Sequence, residues 1–169
     1  GLTPERGIQM FTSIYPSIHT KYPDTIFQPL EADVESQVKM LDANQLDISF
    51  QTISERKYKH LVYSCILYEP FYLCVPKSHP LAYTRTLDPV DYPYISLTEF
   101  KDDLFTLVKK SSTMRAIIDR LFDAAGFKPK LLFESTSMRT MQRLAASGQC
   151  CSIIPRCYAI ANNDVAYFT

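Results

Sequence analysis

Short apolar runs of strand composition alternate with amphipathic runs of helical spacing along most of this chain. Alternation of strands with helices of about 10–15 residues is the pattern of βαβ units. It predicts an α/β fold in which a mostly parallel sheet is flanked by helices. The predicted strands are 25–32, 46–50, 61–76 (with a break at Glu69 and Pro70), 93–97, 105–108, 129–134, 150–155 and 165–168.

Four helices are predicted from apolar spacing and from capping residues. In the first, Thr3 is the expected N-cap and Pro4 the first helical residue, and Asp33 is the expected N-cap of the second. The third and fourth follow two nearly identical segments, SSTMR at 111–115 and STSMR at 135–139, and stop at glycines 126 and 148. The predicted inward positions are Ile8, Phe11, Ile14, Tyr15, Ile18, Val34, Val38, Leu41, Ile117, Leu121, Ala124, Ala125, Met141, Leu144 and Ala145.

The two hydroxyl clusters have two readings. Serine and threonine are the ordinary N-caps of helices, and that reading requires no ligand. In parallel sheets, however, ligands sit at the carboxyl ends of the strands, where the N–H groups and the positive dipole end of the next helix are exposed. Each cluster lies between a predicted strand and a predicted helix, so the hydroxyls are candidates for ligand contact as well as for capping.

Composition excludes several classes of protein. Eighteen Lys and Arg residues balance eighteen Asp and Glu residues among 169. This stretch therefore lacks the excess of positive charge with which proteins bind nucleic acid phosphates. No run of about 18 apolar residues is present, so neither a transmembrane helix nor a membrane partner is expected. The N-terminus also lacks the pattern of a signal peptide, and a cytoplasmic location is expected.

The cysteines and histidines suggest no catalytic or metal chemistry. Cys65, Cys74, Cys150 and Cys151 lie in apolar, strand-like runs, which predicts buried free thiols in a reducing compartment. Adjacent strand residues point to opposite faces, which disfavours a redox pair at 150–151. The three histidines are scattered and lack metal-ligand spacing, and only four glycines occur. We therefore expect no catalytic residue, no metal and no cofactor.

Five segments, in order and at consistent separations, carry a family resemblance: KYPDT at 21–25, VKMLDANQLDISF at 38–50, YEPFYLCVPKSHPLA at 68–82, DAAGFKPKLLFE at 123–134 and LAASGQCCSIIPR at 144–156. With them the chain resembles the effector-binding domain of LysR-type transcriptional regulators. Where the family usually shows small apolar residues, this chain has Cys150 and Cys151, which we interpret as core filling.

The resemblance implies a two-lobed fold like that of type 2 periplasmic binding proteins, with two crossover segments and a small-molecule effector between the lobes. Lobe I would be residues 1–71 plus 155–169, and lobe II would be 72–154. The DNA-binding winged helix-turn-helix, the linker helix and the first strand are expected to lie outside this chain. The family also forms homo-oligomers, with the helices at 8–21 and 113–125 as candidate faces, and acts on DNA only through that missing domain.

The resemblance also assigns the effector contacts by position. They are Thr3, Glu5, Arg6, Asp33, Val34 and Thr52 in lobe I, and Ser111, Ser112, Thr113, Ser135 and Thr136 in lobe II. Family members with anionic effectors often have a hydroxyl or amide at the positions of Glu5 and Val34. A carboxylate at Glu5 beside the cation of Arg6 makes a zwitterionic ligand plausible, unless Glu5 only complements its own helix dipole.

Two other functions share this fold. A solute-binding protein of a transporter would carry a signal peptide or lipid anchor, and none is visible in this sequence. An enzyme would need a nucleophile, an acid–base pair or a metal set, and none has the required spacing. The sequence therefore favours an effector-sensing domain of a transcription factor.

Overall fold

Residues 1–83, 92–159 and 164–169 are described by the structure, a computed structural model of the chain. The chain forms two compact units, Gly1–Ile53 and Ser54–Thr169. The first unit contains α1 (Arg6–Lys21) and α2 (Val34–Asp42). The second contains β1 (Phe71–Pro76), β2 (Leu104–Val108), α3 (Thr113–Ala124), β3 (Lys130–Ser135), α4 (Met138–Ala146), β4 (Cys151–Pro155) and β5 (Val165–Phe168). Within the described residues, no helix combines the length and hydropathy needed to cross a bilayer.

The first unit is held together at Leu2, which forms parallel bridges to both Glu31 and Phe50. The backbone N–H of Leu2 donates to the Leu30 carbonyl at 2.8 Å, and the Leu2 carbonyl accepts from the N–H of Ala32 at 3.1 Å. The predicted strands 25–32 and 46–50 are wrong, because each contributes only this single bridge. A β-ladder extends only as far as its partner does, and the chain turns away into α1 directly after Leu2.

The start of α1 also differs from the prediction. Thr3 is not the N-cap: the helix begins at Arg6, and Glu5 takes the cap position with φ 61° and ψ −71°. The N–H of Arg6 donates to the Pro4 carbonyl at 2.7 Å, which closes a γ-turn centred on Glu5. The turn brings Gly7 against Leu2, where a side-chain Cβ would lie 2.8 Å from the Leu2 Cβ. A residue without a Cβ is therefore required for this close approach.

The apolar stripe of α1 is only partly covered. Gly7 is the buried residue of this helix, whereas the predicted inward positions at 8, 11, 14, 15 and 18 are all of intermediate exposure. In α2, Val38 is buried as predicted. Beside it the buried Gln37 donates to the Ala32 carbonyl at 2.7 Å and accepts from the Ser49 hydroxyl, which ties α2 to both segments that bridge to Leu2.

The second unit contains a five-stranded sheet in the order β3-β2-β4-β1-β5. β2 is parallel to both β3 and β4, and β1 is antiparallel to both β4 and β5, so four of the five strands run in one direction. The prediction of an α/β fold with a mostly parallel sheet is confirmed. The helices predicted between these strands are also confirmed, since α3 joins β2 to β3 and α4 joins β3 to β4.

Each face of the sheet is covered by one helix. Directly paired strand residues share a face, so Ser152, Cys74 and Tyr167 lie in one row across β4, β1 and β5. Gln142 of α4 donates to the Tyr167 hydroxyl, which places α4 on that face. On the other face, the rings of Phe105 and Phe122 meet edge to face at 5.0 Å and bring α3 onto β2.

Several local predictions in the second unit are wrong. Residues 61–70 form no strand, and β1 starts only at Phe71, directly after Pro70, which cannot donate a ladder hydrogen bond. Residues 93–97 are also not a strand and lead into a 3₁₀ turn at Leu97–Phe100. The buried positions of α3 are Arg115, Ile118 and Phe122, whereas Leu121 is 41% exposed. The buried side of α3 is thus the one that carries Arg115, which forms ion pairs with Asp119 and Glu134.

Other local predictions are confirmed. Met141 and Ala145 of α4 are buried, and α3 and α4 both end next to a glycine with positive φ, 75° at Gly126 and 80° at Gly148. In each case the N–H of the glycine and the N–H of the residue after it donate to carbonyls of the last helical turn, which is the Schellman arrangement. The composition of residues 77–93 predicts a loop with one helical turn, and a 3₁₀ segment is present at Pro80–Tyr83. Residues 84–91 of this loop lie outside the described part of the chain.

The lobe boundaries stay a prediction. The structure groups 54–71 with the second unit, and β5 pairs with β1 in its sheet, with Cys74 opposite Tyr167. Predicted lobe I included both 54–71 and 155–169. Residues 160–163 of the latter segment lie outside the described part of the chain.

Candidate functional site

The first unit brings three predicted contact residues to one edge. Thr3 follows Leu2 directly, and Asp33 and Thr52 each come two residues after a bridge partner of Leu2. Because both bridges are parallel, the chain leaves all three segments on the same side. Thr3 and Thr52 are of intermediate exposure there, so this edge holds two hydroxyls, a carboxylate and the start of α1.

Asp33 is the N-cap of α2, as predicted. One carboxylate oxygen accepts from the N–H of Ser36 at 2.8 Å, and the other accepts from the Ser36 hydroxyl at 2.9 Å. Hydrogen bonds from the backbone and side chain of Ser36 hold the pKa of Asp33 below its ordinary value. The geometry therefore accounts for Asp33 as a capping residue, and the neighbouring Val34 begins the helix with a half-buried apolar side chain.

Glu5 is the central residue and Arg6 the last residue of the γ-turn at the same edge. A positive φ is unfavourable for any residue with a side chain, and a backbone held in such a region costs about 1–3 kcal/mol. The turn places Glu5 immediately before the N-terminus of α1, and both side chains are of intermediate exposure. Sequence spacing alone missed this strained turn, because Thr-Pro-Glu is also the usual beginning of a regular helix.

The second unit brings the two hydroxyl clusters together. Val108 at the end of β2 is the parallel partner of Ser135 at the end of β3. The next N–H, that of Lys109, donates to the Ser135 carbonyl at 3.0 Å. The segments 109–113 and 135–137 therefore leave the sheet side by side, and the N-termini of α3 and α4 follow them at the carboxyl edge of the parallel strands.

The hydroxyls of this edge divide into capping and non-capping groups. The sequence leaves Ser111 and Ser112 open as the cap of α3, and Ser112 is the cap, accepting from the N–H of Met114 at 3.3 Å. α4 is capped by Ser137, which accepts from the N–H of Thr140 at 3.2 Å, and the buried Ser135 in turn accepts from the N–H of Ser137 at 3.0 Å. Ser111 and Thr136 are exposed beside these caps. They are the hydroxyls on this edge that capping does not explain, whereas Thr113 lies in the first turn of α3.

A buried arginine lies beneath the same edge. Arg115 is 5% exposed. Its guanidinium donates to the Val108 carbonyl at 2.9 Å, to Asp119 at 2.7 Å and to Glu134. Burial disfavours the charge, but the hydrogen bonds to Glu134 and Asp119 outweigh burial and raise the pKa of Arg115. Sequence reasoning missed this residue, although it is the last letter of the first repeated segment.

The thiols are placed for packing. Cys74, Cys150 and Cys151 are buried, as predicted, whereas Cys65 is exposed, because its segment forms no strand. Burial raises the pKa of Cys74 to about 12 and also raises the pKa of both Cys150 and Cys151. Low-pKa, accessible thiols are the reactive ones, so the environment of these three keeps them protonated and unreactive near neutral pH.

A cavity of about 420 Å³ lies elsewhere in the second unit. Its lining includes Pro76 at the end of β1, Leu104 at the start of β2 and Cys151 at the start of β4. It therefore lies at the opposite edge of the sheet from Ser112 and Ser135. The carboxylates that line it already have partners: His79 contacts Asp103 at 3.2 Å, and Lys130 contacts Asp102 at 3.1 Å. Within the described ranges, no group of three or more His, Cys, Asp or Glu side chains is arranged to hold a metal ion.

The fold is shared with several solved α/β domains. Solved structures with the same fold include the effector-binding domain of QuiR in complex with shikimate, at a TM-score of 0.81 and 18% identity, covering 100% of this chain and 78% of that one. They also include the regulatory domain of Synechocystis PCC6803 CcmR in complex with 2-PG, at a TM-score of 0.78 and 17% identity, covering 95% and 74%.

Sequence comparison gives the family. The model of the LysR substrate binding domain matches residues 1–168, so this chain belongs to that family and the resemblance is confirmed. The HTH-type transcriptional regulator YybE of Bacillus subtilis (strain 168) is 26% identical over 149 residues, which are 88% of this chain and 48% of that protein. YcgK of the same organism is 25% identical over 158 residues, with the same coverage. The chain thus spans about half the length of the curated relatives it matches.

Proposed function

We propose that this chain is the effector-sensing regulatory domain of a LysR-type transcription factor. The observation that carries the proposal is that each unit gathers hydroxyl groups at an edge where parallel-bridged segments end and helices begin. Free N–H groups and the positive end of the helix dipole are available at such an edge to hold a polar small molecule. Membership of the LysR substrate-binding family supports this assignment over a transporter's solute-binding protein.

The edges favour a small ligand that accepts several hydrogen bonds. Ser111 and Thr136 offer hydroxyls in the second unit, and Thr3 and Thr52 offer them in the first. The related domains of QuiR and CcmR have been solved with shikimate and with 2-PG. By analogy, we propose a small oxygen-rich compound bearing a negative charge, with Arg6 near the charge and with Glu5 favouring any positively charged group it carries.

No chemical transformation of this ligand is proposed. Catalysis by a thiol requires a thiolate, and burial keeps Cys74, Cys150 and Cys151 in the thiol form. The His79–Asp103 pair lies at the opposite sheet edge from the hydroxyls. Binding instead changes the relative populations of two states that differ in their affinity for the effector.

A second copy of the chain is the proposed oligomeric partner. The stripe of α1 remains half-exposed, and β3 at the edge of the sheet exposes Leu131, Leu132 and Phe133 by 40–42% each. Apolar surface of this kind is stabilised when another protein surface covers it. DNA binding, through a segment outside this chain, and a cytoplasmic location complete the proposal.

A thermal-shift titration tests the proposal. A ligand present at about 100 times its dissociation constant adds about 2.7 kcal/mol of stability. Shikimate, inorganic phosphate, small carboxylates, amino acids and amines are the probes. We expect one class to raise the melting temperature, and we expect the rise to shrink in Ser111→Ala and Thr136→Ala, which leave the helix caps intact.

Ser147→Ala is the matched control, because Ser147 is an exposed residue beyond the C-terminal end of α4 and its hydroxyl donates to the Leu144 carbonyl at 2.9 Å. It should bind as the wild type does. If a ligand raises the melting temperature equally in all three variants, it binds elsewhere, and Ser111 and Thr136 are not part of its site. Absence of any shift with a folded protein across all classes would contradict the sensing function for these compounds.

A further inference from the structure

The hydroxyl edge of the second unit is the carboxyl edge of β2 and β3, where Ser111, Ser112, Ser135 and Thr136 lie. We infer that Arg115 is a positioning residue for this edge, and that it fixes the edge without contacting the effector. The inference rests on the proposed function, because it concerns the same site. It starts from the repeated segments SSTMR and STSMR, whose arginines have different environments. Arg115 is buried, whereas Arg139 in the second copy is exposed. Helix capping explains Ser112 and Ser137 but not this buried charge.

The guanidinium joins the three elements that build the edge. It bonds to the carbonyl of Val108, the last residue of β2, and to Glu134, the last residue but one of β3. Its third partner is Asp119, one turn further along α3. The segment 109–113, which carries Ser111, starts directly after Val108, and the segment 135–137, which carries Thr136, starts directly after Glu134. One side chain therefore holds the starting points of both hydroxyl segments.

The register of the sheet puts this contact on a defined face. Leu107 is paired with Glu134, and Val108 is paired with Ser135, so Glu134 and Ser135 point to opposite faces. Glu134 points to the face that α3 covers, where Arg115 meets it. The guanidinium therefore lies under the edge, on the α3 side, while Ser135 bonds to Ser137 at the start of α4.

The charge of Arg115 is already neutralised. Two carboxylates accept its hydrogen bonds, and its side chain is 6% exposed. An anion at the edge would have to compete with both carboxylates for the same N–H groups. The simplest alternative role, in which Arg115 is the counter-charge of an acidic effector, is therefore disfavoured.

The two roles predict opposite effects of Glu134→Gln on ligand affinity. If Arg115 positions the edge, then Arg115→Lys and Glu134→Gln both loosen the same contact, and both weaken ligand binding. Loss of an outer hydrogen-bond partner of a metal ligand lowers metal affinity by about tenfold or more, and we expect a loss of similar size here. If Arg115 instead bound an anionic ligand directly, Glu134→Gln would release the guanidinium and strengthen binding. Both substitutions conserve size, so the fold should survive.

Hydrogen–deuterium exchange tests the positioning without any ligand. In Arg115→Lys and Glu134→Gln, we expect faster amide exchange in 109–113 and 135–137, with the amides of β1 and β5 unchanged. Arg143→Lys on the exposed side of α4 is the matched control and should leave both segments as they are. Unchanged exchange in both segments would overturn the inference, and so would acceleration throughout the sheet, which would mean that Arg115 serves only global stability.

Calorimetric titration with shikimate and with inorganic phosphate provides the second readout. Parallel weakening in both variants supports positioning, and tighter binding in Glu134→Gln overturns it. If neither probe binds to the wild type, the proposed ligand class is wrong, while the exchange experiment still decides the role of Arg115. Failure of the function and failure of the inference are thus distinguishable.

Discussion

The buried thiols predict a specific loss of stability at alkaline pH. Cys74 and Cys151 lie on opposite faces of the central strands, and burial raises the pKa of Cys74 to about 12 and moves the pKa of Cys151 in the same direction. In the unfolded chain both thiols titrate near their ordinary value of 9.0. Because their folded pKa is raised, the stability they contribute is fully present below pH 9 and is lost progressively as pH rises above it.

The magnitude follows from linkage. Between pH 8 and pH 10, an unfolded thiol with a pKa of 9.0 loses its proton while the folded one keeps it, which costs about 1.4 kcal/mol per thiol. Cys74 and Cys151 together should lower the free energy of unfolding by about 3 kcal/mol over this interval. Burial also raises the pKa of Tyr167 above its ordinary value of 10.0, so this residue adds a further loss that begins as pH approaches 10 and grows above it.

Urea unfolding followed by far-UV circular dichroism at pH 8, 9 and 10 measures the effect. Cys74→Ala lowers stability at every pH because it removes a buried side chain, but its loss between pH 8 and 10 should be smaller than that of the wild type by about 1.4 kcal/mol. Cys65→Ser is the control, because Cys65 is exposed and should leave the pH dependence unchanged. Equal pH dependence in the wild type and Cys74→Ala would refute the reasoning, since it would mean that Cys74 ionises as readily when folded as when unfolded.

Three further predictions concern local contacts. Ser112→Ala removes the N-cap of α3 and should destabilise the protein by about 0.5–2 kcal/mol, whereas Ser111→Ala should be nearly neutral, as measured by urea unfolding. Gly7→Ala places a Cβ 2.8 Å from that of Leu2 and should speed amide exchange around Leu2 without changing the second unit. Tyr167→Phe leaves the buried amide of Gln142 without its hydroxyl partner and should cost about 1–3 kcal/mol, and an unchanged urea midpoint would contradict that pairing.

The sequence predicted the second unit better than the first, for a physical reason. β2, α3, β3, α4 and β4 each pair with or pack on an element nearby in the chain, so local periodicity and capping residues largely determine them. The segments 25–32 and 46–50 have strand composition, but strand composition does not supply a pairing partner. In the described chain only Leu2 bridges to them, so these two stretches remain outside any multi-residue ladder.

The candidate site shows the same division between local and non-local information. Ser112 and Asp33 could be predicted as caps because a cap is defined by the residue and its next three neighbours. That Ser135 meets Lys109, or that Arg115 meets Glu134 nineteen residues later, depends on the parallel register of β2 and β3, which spacing does not encode. An arginine inside a helix of mixed composition is ordinarily placed at the surface. Its burial becomes intelligible only when two strands end beside it, one offering a carbonyl and the other a carboxylate, and this convergence is also what brings the two hydroxyl segments to a common edge.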